Sequence, residues 1–209
     1  HTNITDTDDN VIGVNSEIKF SRTQTTECPT LFTHQFYLSL LEYSTEDLPR
    51  PVETQADLEA MAQDENYILT KDITVRNWKP LTTAIGSLDG NGYVIRIESF
   101  DITVAPSVNV GLFATTGQNT ILKNIVVDIS TLEEDDDVMY IRDDNVTGTV
   151  INFGMIAGVN NGLIYNCEVI SLNVDKKLTI EIGPSYSMTF GGLIGVNNGN
   201  ITNSRVGTQ

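Results

Sequence analysis

The stretch Asn152-Phe-Gly-Met-Ile-Ala-Gly-Val-Asn-Asn-Gly-Leu-Ile-Tyr-Asn-Cys-Glu-Val169 decides the fold. The chain repeats it 37 residues later as Thr189-Phe-Gly-Gly-Leu-Ile-Gly-Val-Asn-Asn-Gly-Asn-Ile-Thr-Asn-Ser-Arg-Val206. Ten of the 18 positions are identical. The identities fall on glycines (Gly154, Gly158 and Gly162 against Gly191, Gly195 and Gly199), on asparagines (among them Asn160 and Asn166 against Asn197 and Asn203) and on apolar residues. What repeats is therefore a set of turns and packing positions rather than a set of reactive groups. A looser third copy begins at Val110-Gly-Leu-Phe-Ala and runs to Leu122-Lys-Asn-Ile-Val, 43 residues before the second.

Each copy holds two short apolar strands separated by Val-Asn-Asn-Gly or its equivalent, and neither strand can bury itself. Stacking successive copies lets Ile, Val and Leu line one continuous core, which predicts a β-solenoid. Asn161-Gly162 and Asn198-Gly199 also fit hairpin turns, but a period of 37 to 43 residues favours stacked neighbours. The solenoid reading puts Ile156, Val159, Ile164, Leu193, Val196 and Ile201 in the core and Gly158 and Gly195 at close-packed or turn positions. Asn166 and Asn203 are expected to cap turn carbonyls or to form a ladder between copies.

Composition points the same way. The 209 residues include 21 Ile, 18 Val and 25 Thr, side chains that suit a pleated surface, and 19 Asn and 16 Gly, which tolerate tight turns. The 12 Lys plus Arg against 28 Asp plus Glu leave a net charge of −16, a field that repels nucleic acid and anionic membrane surfaces. The longest apolar runs, such as Val110 to Ala114, are far too short to span a bilayer, so membrane insertion is not expected. The chain opens at His1 without a basic segment and apolar core, and is expected to be a processed chain or an excised piece.

Two segments are expected. Residues 1–65 carry 13 acidic and 3 basic side chains, and residues 66–209 carry 15 and 9. Pro49-Arg50-Pro51 reads as a linker between an acidic, β-rich segment over 1–50, a strand-exchange or linker arm, and the repeat region over 51–209. Within the first segment, residues 11–20 and 31–41 read as one or two strand pairs. After the prolines, Thr54 caps a short amphipathic helix running to about Gln63, with Asp57 in its first turn and Leu58 and Met61 on one face. That helix is expected to cover the N-terminal end of the solenoid.

Five signatures occur in order: Tyr67-Ile-Leu-Thr-Lys-Asp-Ile-Thr-Val, Trp78-Lys-Pro-Leu, Leu88-Asp-Gly-Asn-Gly-Tyr-Val-Ile95, Gly111-Leu-Phe-Ala, and the two Gly-Val-Asn-Asn-Gly copies. Together, over about residues 52–206, they resemble the GLUG-motif right-handed parallel β-helix of large secreted and surface proteins. Such regions occur in adhesins and in the N-terminal part of IgA-cleaving metalloproteases. The resemblance implies an all-β fold and an extracellular or cell-surface location more firmly than any reaction. Leu81-Thr-Thr-Ala-Ile-Gly86 lengthens the usual passage after the Trp, and an acidic insert at 133–145 interrupts the second strand set. Residues 1–50 lie outside the resemblance.

Reactive constellations are sparse. Asp143-Asp144 is the best carboxylate pair, yet neighbours on a strand point to opposite faces, and the pair follows the acidic run Glu133 to Asp137, so a solvated loop is expected. His1 and His34 have no Glu or Cys at zinc-ligand spacing, and no Gly-x-Ser-x-Gly is present. Asp89-Gly-Asn-Gly92 reads as a turn, since it lacks the Lys and the helix of a phosphate loop. Asp6, Asp8, Asn10 and Glu17 fall at positions 1, 3, 5 and 12 of an EF-hand-like loop, a weak calcium candidate because Val11 replaces the turn glycine. No other cofactor is implied. Cys28 and Cys167 allow one disulfide or two buried thiols. Asn3, Asn145 and Asn200 each begin an N-glycosylation acceptor pattern.

The expected function is a non-enzymatic extracellular structural or adhesive module, a glycoprotein that self-associates head to tail into a filament or continues into a longer chain. A glycan or a host or cell-surface ligand is the expected partner. Two alternatives are a polysaccharide-active or polysaccharide-binding β-helix, and the accessory region of a larger secreted protease.

Overall fold

The computed structural model describes residues 2–5, 11–15, 48–132, 138–141, 143, 145–171 and 179–208. The chain divides between Leu48 and Pro49 into two units. In the first, β1 (Thr2–Thr5) and β2 (Val11–Asn15) pair antiparallel, with an irregularity between Ile4 and Thr5. The strand expected from residue 11 is present; the one expected over 31–41 lies outside the described residues.

The second unit opens with β3 (Arg50–Val52) and the helix α1 (Gln55–Glu59), followed by β4 (Asn66–Leu69) and β5 (Ile73–Val75). Next come β6 (Ser87–Asp89), β7 (Val94–Ile97), β8 (Ser107–Val110) and β9 (Phe113–Thr115). A longer pass follows as β10 (Ile121–Lys123), β11 (Val126–Asp128), β12 (Val138–Ile141), β13 (Val150–Gly154) and β14 (Ala157–Asn160). The last strands are β15 (Leu163–Tyr165), β16 (Glu168–Ser171), β17 (Thr179–Ile182), β18 (Ser187–Gly191), β19 (Ile194–Asn197), β20 (Asn200–Thr202) and β21 (Arg205–Thr208).

Consecutive strands go to different sheets, and each pairs in parallel with its equivalent one pass away. One sheet runs β20-β15-β10-β6-β4-β3 and another β21-β16-β11-β7-β5. Two three-stranded sheets, β18-β13-β8 and β19-β14-β9, and the pair β12-β17 complete the unit. It is all-β apart from α1, its sheets are parallel, and no barrel closes. The 37-residue repeat is the pairing register itself: Phe153 faces Phe190, Ile164 faces Ile201 and Val169 faces Val206. The looser copy pairs too, with Phe153 opposite Val110 and Ile164 opposite Leu122.

Because side chains alternate across a strand, every second residue enters the core and meets its equivalent from the next pass. Tyr67, Leu88, Leu122 and Ile164 form one such buried column, and Ile73, Ile95, Val127 and Val169 form another. Trp78 is fully buried, and its indole N–H donates to the Leu112 carbonyl at 3.0 Å, so the ring's polar edge is satisfied inside the core. Phe153 packs edge-on against Phe100 and stacks on Phe190 at 5.4 Å.

Three expectations change. Pro49-Arg50-Pro51 stands at the boundary of the two units, but Arg50 and Pro51 already belong to β3, which pairs in parallel with β4; Pro51 is tolerated because β3 is an edge strand. The helix is a single turn shorter than expected, ending at Glu59, although Met61 beyond it is buried along with Leu58. As the stacked reading expects, Asn161-Gly162 and Asn198-Gly199 join strands of different sheets and make no hairpin. Among the six expected core residues only Ile156 and Ile164 are fully buried; Val159, Leu193 and Val196 are half-buried and Ile201, on β20, the outermost described strand of its sheet, is exposed.

The helix cap follows its sequence. The Thr54 hydroxyl accepts from the Asp57 N–H at 3.2 Å, and the Asp57 carboxylate accepts from the Thr54 N–H at 2.9 Å, a reciprocal capping box. The backbone N–H of Glu53 first, and then the Thr54 hydroxyl, hold the Asp57 carboxyl below its ordinary range. Helix α1 lies against β5, the edge strand of its sheet, and so covers that end of the core.

Candidate functional site

The repeated asparagines sit where the chain crosses from one sheet to the next. Asn124, Asn166 and Asn203 all adopt left-handed conformations, with φ of 54°, 52° and 50°. Asparagine tolerates this conformation better than other side-chain-bearing residues. The Asn166 amide donates to the Asn124 carbonyl oxygen at 2.7 Å, and the Asn124 amide donates to Asp89 Oδ1 at 2.9 Å. An ionised carboxylate only accepts, so Asp89 orients every amide in the row. Burial opposes ionisation of Asp89. Bonds from the Asn124 amide, the Asn91 N–H and Lys123 outweigh it and hold the carboxyl below its ordinary range.

A second row crosses the next turn. The Thr116 hydroxyl donates to Asn160 Oδ1, and the Asn160 amide donates to Asn197 Oδ1, both at 2.8 Å; the Asn197 amide then reaches the Gly199 carbonyl at 3.1 Å. Thr116 and Asn160 are buried polar groups, and these bonds satisfy them. The glycines beside them permit the close stacking. A Cβ on Gly158 would stand 2.8 Å from the Asn152 carbonyl, and one on Gly195 would stand 2.7 Å from the Gly158 carbonyl.

Beside the first row lies an open groove of about 550 Å³, lined by Gly92, Asn124, Val126, Asn166, Cys167, Glu168, Asn203 and Arg205. Glu168, the one carboxylate among these, is bonded to Arg205 at 2.8 Å across the β16–β21 pair. A glycoside-cleaving site needs two carboxyl groups roughly 5 to 9.5 Å apart; this lining supplies one, tied to a guanidinium. Tyr165, 42% exposed, stands next in sequence to the groove and gives an aromatic face to solvent. Sequence reading found Asn166 and Asn203 through the repeat; it missed Glu168 with Arg205, since the copies differ at that position and only the register brings the two together.

The remaining candidates fall as follows. Asp143 caps a turn: its Oδ1 accepts from the Asn145 N–H at 2.8 Å and from the Asn145 amide at 3.0 Å. The Asp143 N–H also donates to the Tyr186 hydroxyl at 3.0 Å. Asp144 and the run 133–137 lie outside the described residues, as do His1, His34 and the calcium candidate Asp6, Asp8, Asn10 and Glu17. Among the described residues, no three His, Cys, Asp or Glu side chains cluster so as to hold a metal ion. Cys167 is a free, buried thiol whose Sγ donates toward the carbonyls of Tyr165 and Leu122, and burial pushes its pKa up to about 11. It is therefore a packing residue rather than a nucleophile; Cys28 lies outside the described residues. Of the glycosylation candidates, Asn145 and Asn200 are exposed and Asn3 lies in β1.

No family model matches the chain, and no solved structure does. A search of curated proteins finds a likeness to halomucin of Haloquadratum walsbyi, 29% identical over 187 residues that take in 79% of this chain. The chain spans about 2% of halomucin's length. Among the described residues no helix is long and apolar enough to cross a membrane.

Proposed function

We propose that the second unit is a right-handed parallel β-helix serving as a non-enzymatic extracellular structural or adhesive module. One observation carries this reading: the polar side chains that repeat are consumed by bonds between passes, in the rows Asp89-Asn124-Asn166 and Thr116-Asn160-Asn197. They hold the stack together and leave little to act on a substrate. Exposed acceptor sites at Asn145 and Asn200, a net charge of −16 and the likeness to a stretch of halomucin support an extracellular surface.

A second reading, polysaccharide binding, is favoured by the groove, where amides, an ion pair and the exposed Tyr165 ring could meet sugar hydroxyls and a sugar face. Affinity electrophoresis in gels containing acidic or neutral polysaccharides separates the two, with reducing ends measured in parallel. The structural reading expects neither retardation nor cleavage. Retardation relieved by Tyr165→Ala would establish binding, and cleavage abolished by Glu168→Gln would overturn the non-enzymatic assignment.

A further inference from the structure

We propose that Asn91-Gly92 is a site of spontaneous deamidation whose product loosens the corner anchoring the Asp89-Asn124-Asn166 row. The chain contains three Asn-Gly pairs, Asn91-Gly92, Asn161-Gly162 and Asn198-Gly199. Asparagine is thermolabile, and a following glycine, lacking a Cβ, leaves its backbone nitrogen open to the asparagine side chain. In the reaction the Gly92 nitrogen attacks Asn91 Cγ, the Cγ–Nδ2 bond breaks, and the proton of the attacking nitrogen leaves with Nδ2 as ammonia. Water then opens the cyclic imide at either carbonyl to give an aspartyl or an isoaspartyl residue. No other reactant is required.

The three pairs differ in what holds the attacking nitrogen. The Gly162 N–H lies 3.2 Å from both the Thr116 hydroxyl and Asn160 Oδ1, and the Asn161 amide donates to the Thr116 carbonyl at 2.9 Å. The Gly199 N–H donates to the Asn160 carbonyl and the Asn198 amide to Asn161 Oδ1, both at 3.1 Å. Both glycines also press against the preceding pass, where a Cβ would collide with the Thr120 and Gly162 carbonyls respectively. Gly92 differs on each count. Among the described residues its N–H has no acceptor, nothing lies within 4 Å of a Cβ built on it, and both Asn91 and Gly92 are exposed. Freeing the Asn91 side chain breaks one bond, from its amide to the Leu69 carbonyl at 3.2 Å. The imide can close here without parting two passes, whereas the other pairs must first open.

The product falls on the anchor of the row. The Asn91 N–H donates to Asp89 Oδ1, the same oxygen that accepts from the Asn124 amide. Deamidation replaces the Asn91 amide, a donor to Leu69, by a carboxylate that only accepts, and sets a second negative charge beside Asp89. The isoaspartyl form also lengthens the backbone of a turn that the Tyr93 N–H closes onto the Gly90 carbonyl at 2.8 Å, with φ of 50° at Asn91 and 83° at Gly92. Either product weakens the corner between β6 and β7, so the modified chain is less stable.

Incubation of the folded protein at mildly alkaline pH, followed by peptide mapping with mass spectrometry, tests this. In the folded chain the product at Asn91 is expected to form about tenfold faster or more than at Asn161 or Asn198. In urea the three pairs should react at similar rates, since only the fold separates them. The deamidated fraction, resolved by anion exchange, should melt below the fresh protein. Asn91→Gly suits the left-handed backbone and carries no amide, so it should keep its melting temperature through the same incubation. Equal rates at the three pairs in the folded chain, or reaction at Asn91 in urea only, overturn the proposal. A deamidated fraction that melts together with the fresh protein overturns it as well.

Discussion

The passes containing Phe153 and Phe190 are near copies in sequence and opposites in environment. In the first, the phenylalanine, the isoleucine of the following strand and the valine after it are covered on both sides. In the second, the same three residue types are covered on one side only. Burial in a repeat is thus a property of the neighbour, not of the residue. The start of the unit makes the same point: α1 covers β5, the edge strand of one sheet, and Leu58 beneath it is buried.

The sharpest way to break this comparison is to put one charge into both copies. Ile164→Asp should cost about 4 kcal/mol or more, since it buries an unpaired carboxylate, whereas Ile201→Asp in dilute monomer should cost about 0.5 kcal/mol. Urea denaturation reads both, and equal losses would mean that the second copy is covered after all. Opening the closed end comes next. Leu58→Ala should destabilise by about 2 to 4 kcal/mol in the same assay, because it leaves a cavity under the cap. A neutral result would remove the helix from any capping role.

The amide rows give a smaller contrast. Asn160→Ala removes bonds to Thr116, Asn197 and Gly162 at a buried position and should cost about 2 kcal/mol; Asn197→Ala, at the exposed end of that row, should cost about 1 kcal/mol or less. Thermal melts in which the two variants coincide would show that the row adds nothing beyond local bonds. The smallest effect is in acid. The Asp89 carboxyl titrates below its ordinary value of 3.8, so its contribution is present above that value and is lost as the pH falls through the lower, folded-state value. The difference in melting temperature between pH 6 and pH 3 should therefore be smaller in Asp89→Asn than in the wild type.

Much of this was legible beforehand for a physical reason. An interval of 37 residues with identities on Gly, Asn and apolar positions can be satisfied by parallel stacking, and the observed register is that interval. Thr54 and Asp57 announced a helix start because capping is local chemistry, requiring only residues three apart. Ile201 was misread because periodicity reports the face of a strand and not whether another strand lies beyond it. The strand character of Arg50 and Pro51 was not legible because Pro reports its own φ and its missing donor, not the edge strand that accommodates both. The pairing of Glu168 with Arg205 was invisible since the copies carry opposite charges at one position, and a sequence comparison scores that as divergence.

By itself, then, the sequence determined the strand-rich character, the interval between passes, the position of the helix cap and the acidic field, all of which depend on local propensity, spacing or summed charge. Only the tertiary structure decided which equivalent residues are buried, which amides bond to which, and that Cys167 is an inert buried thiol. Those properties depend on contacts between residues tens of positions apart, and they exist only once one pass lies against the next.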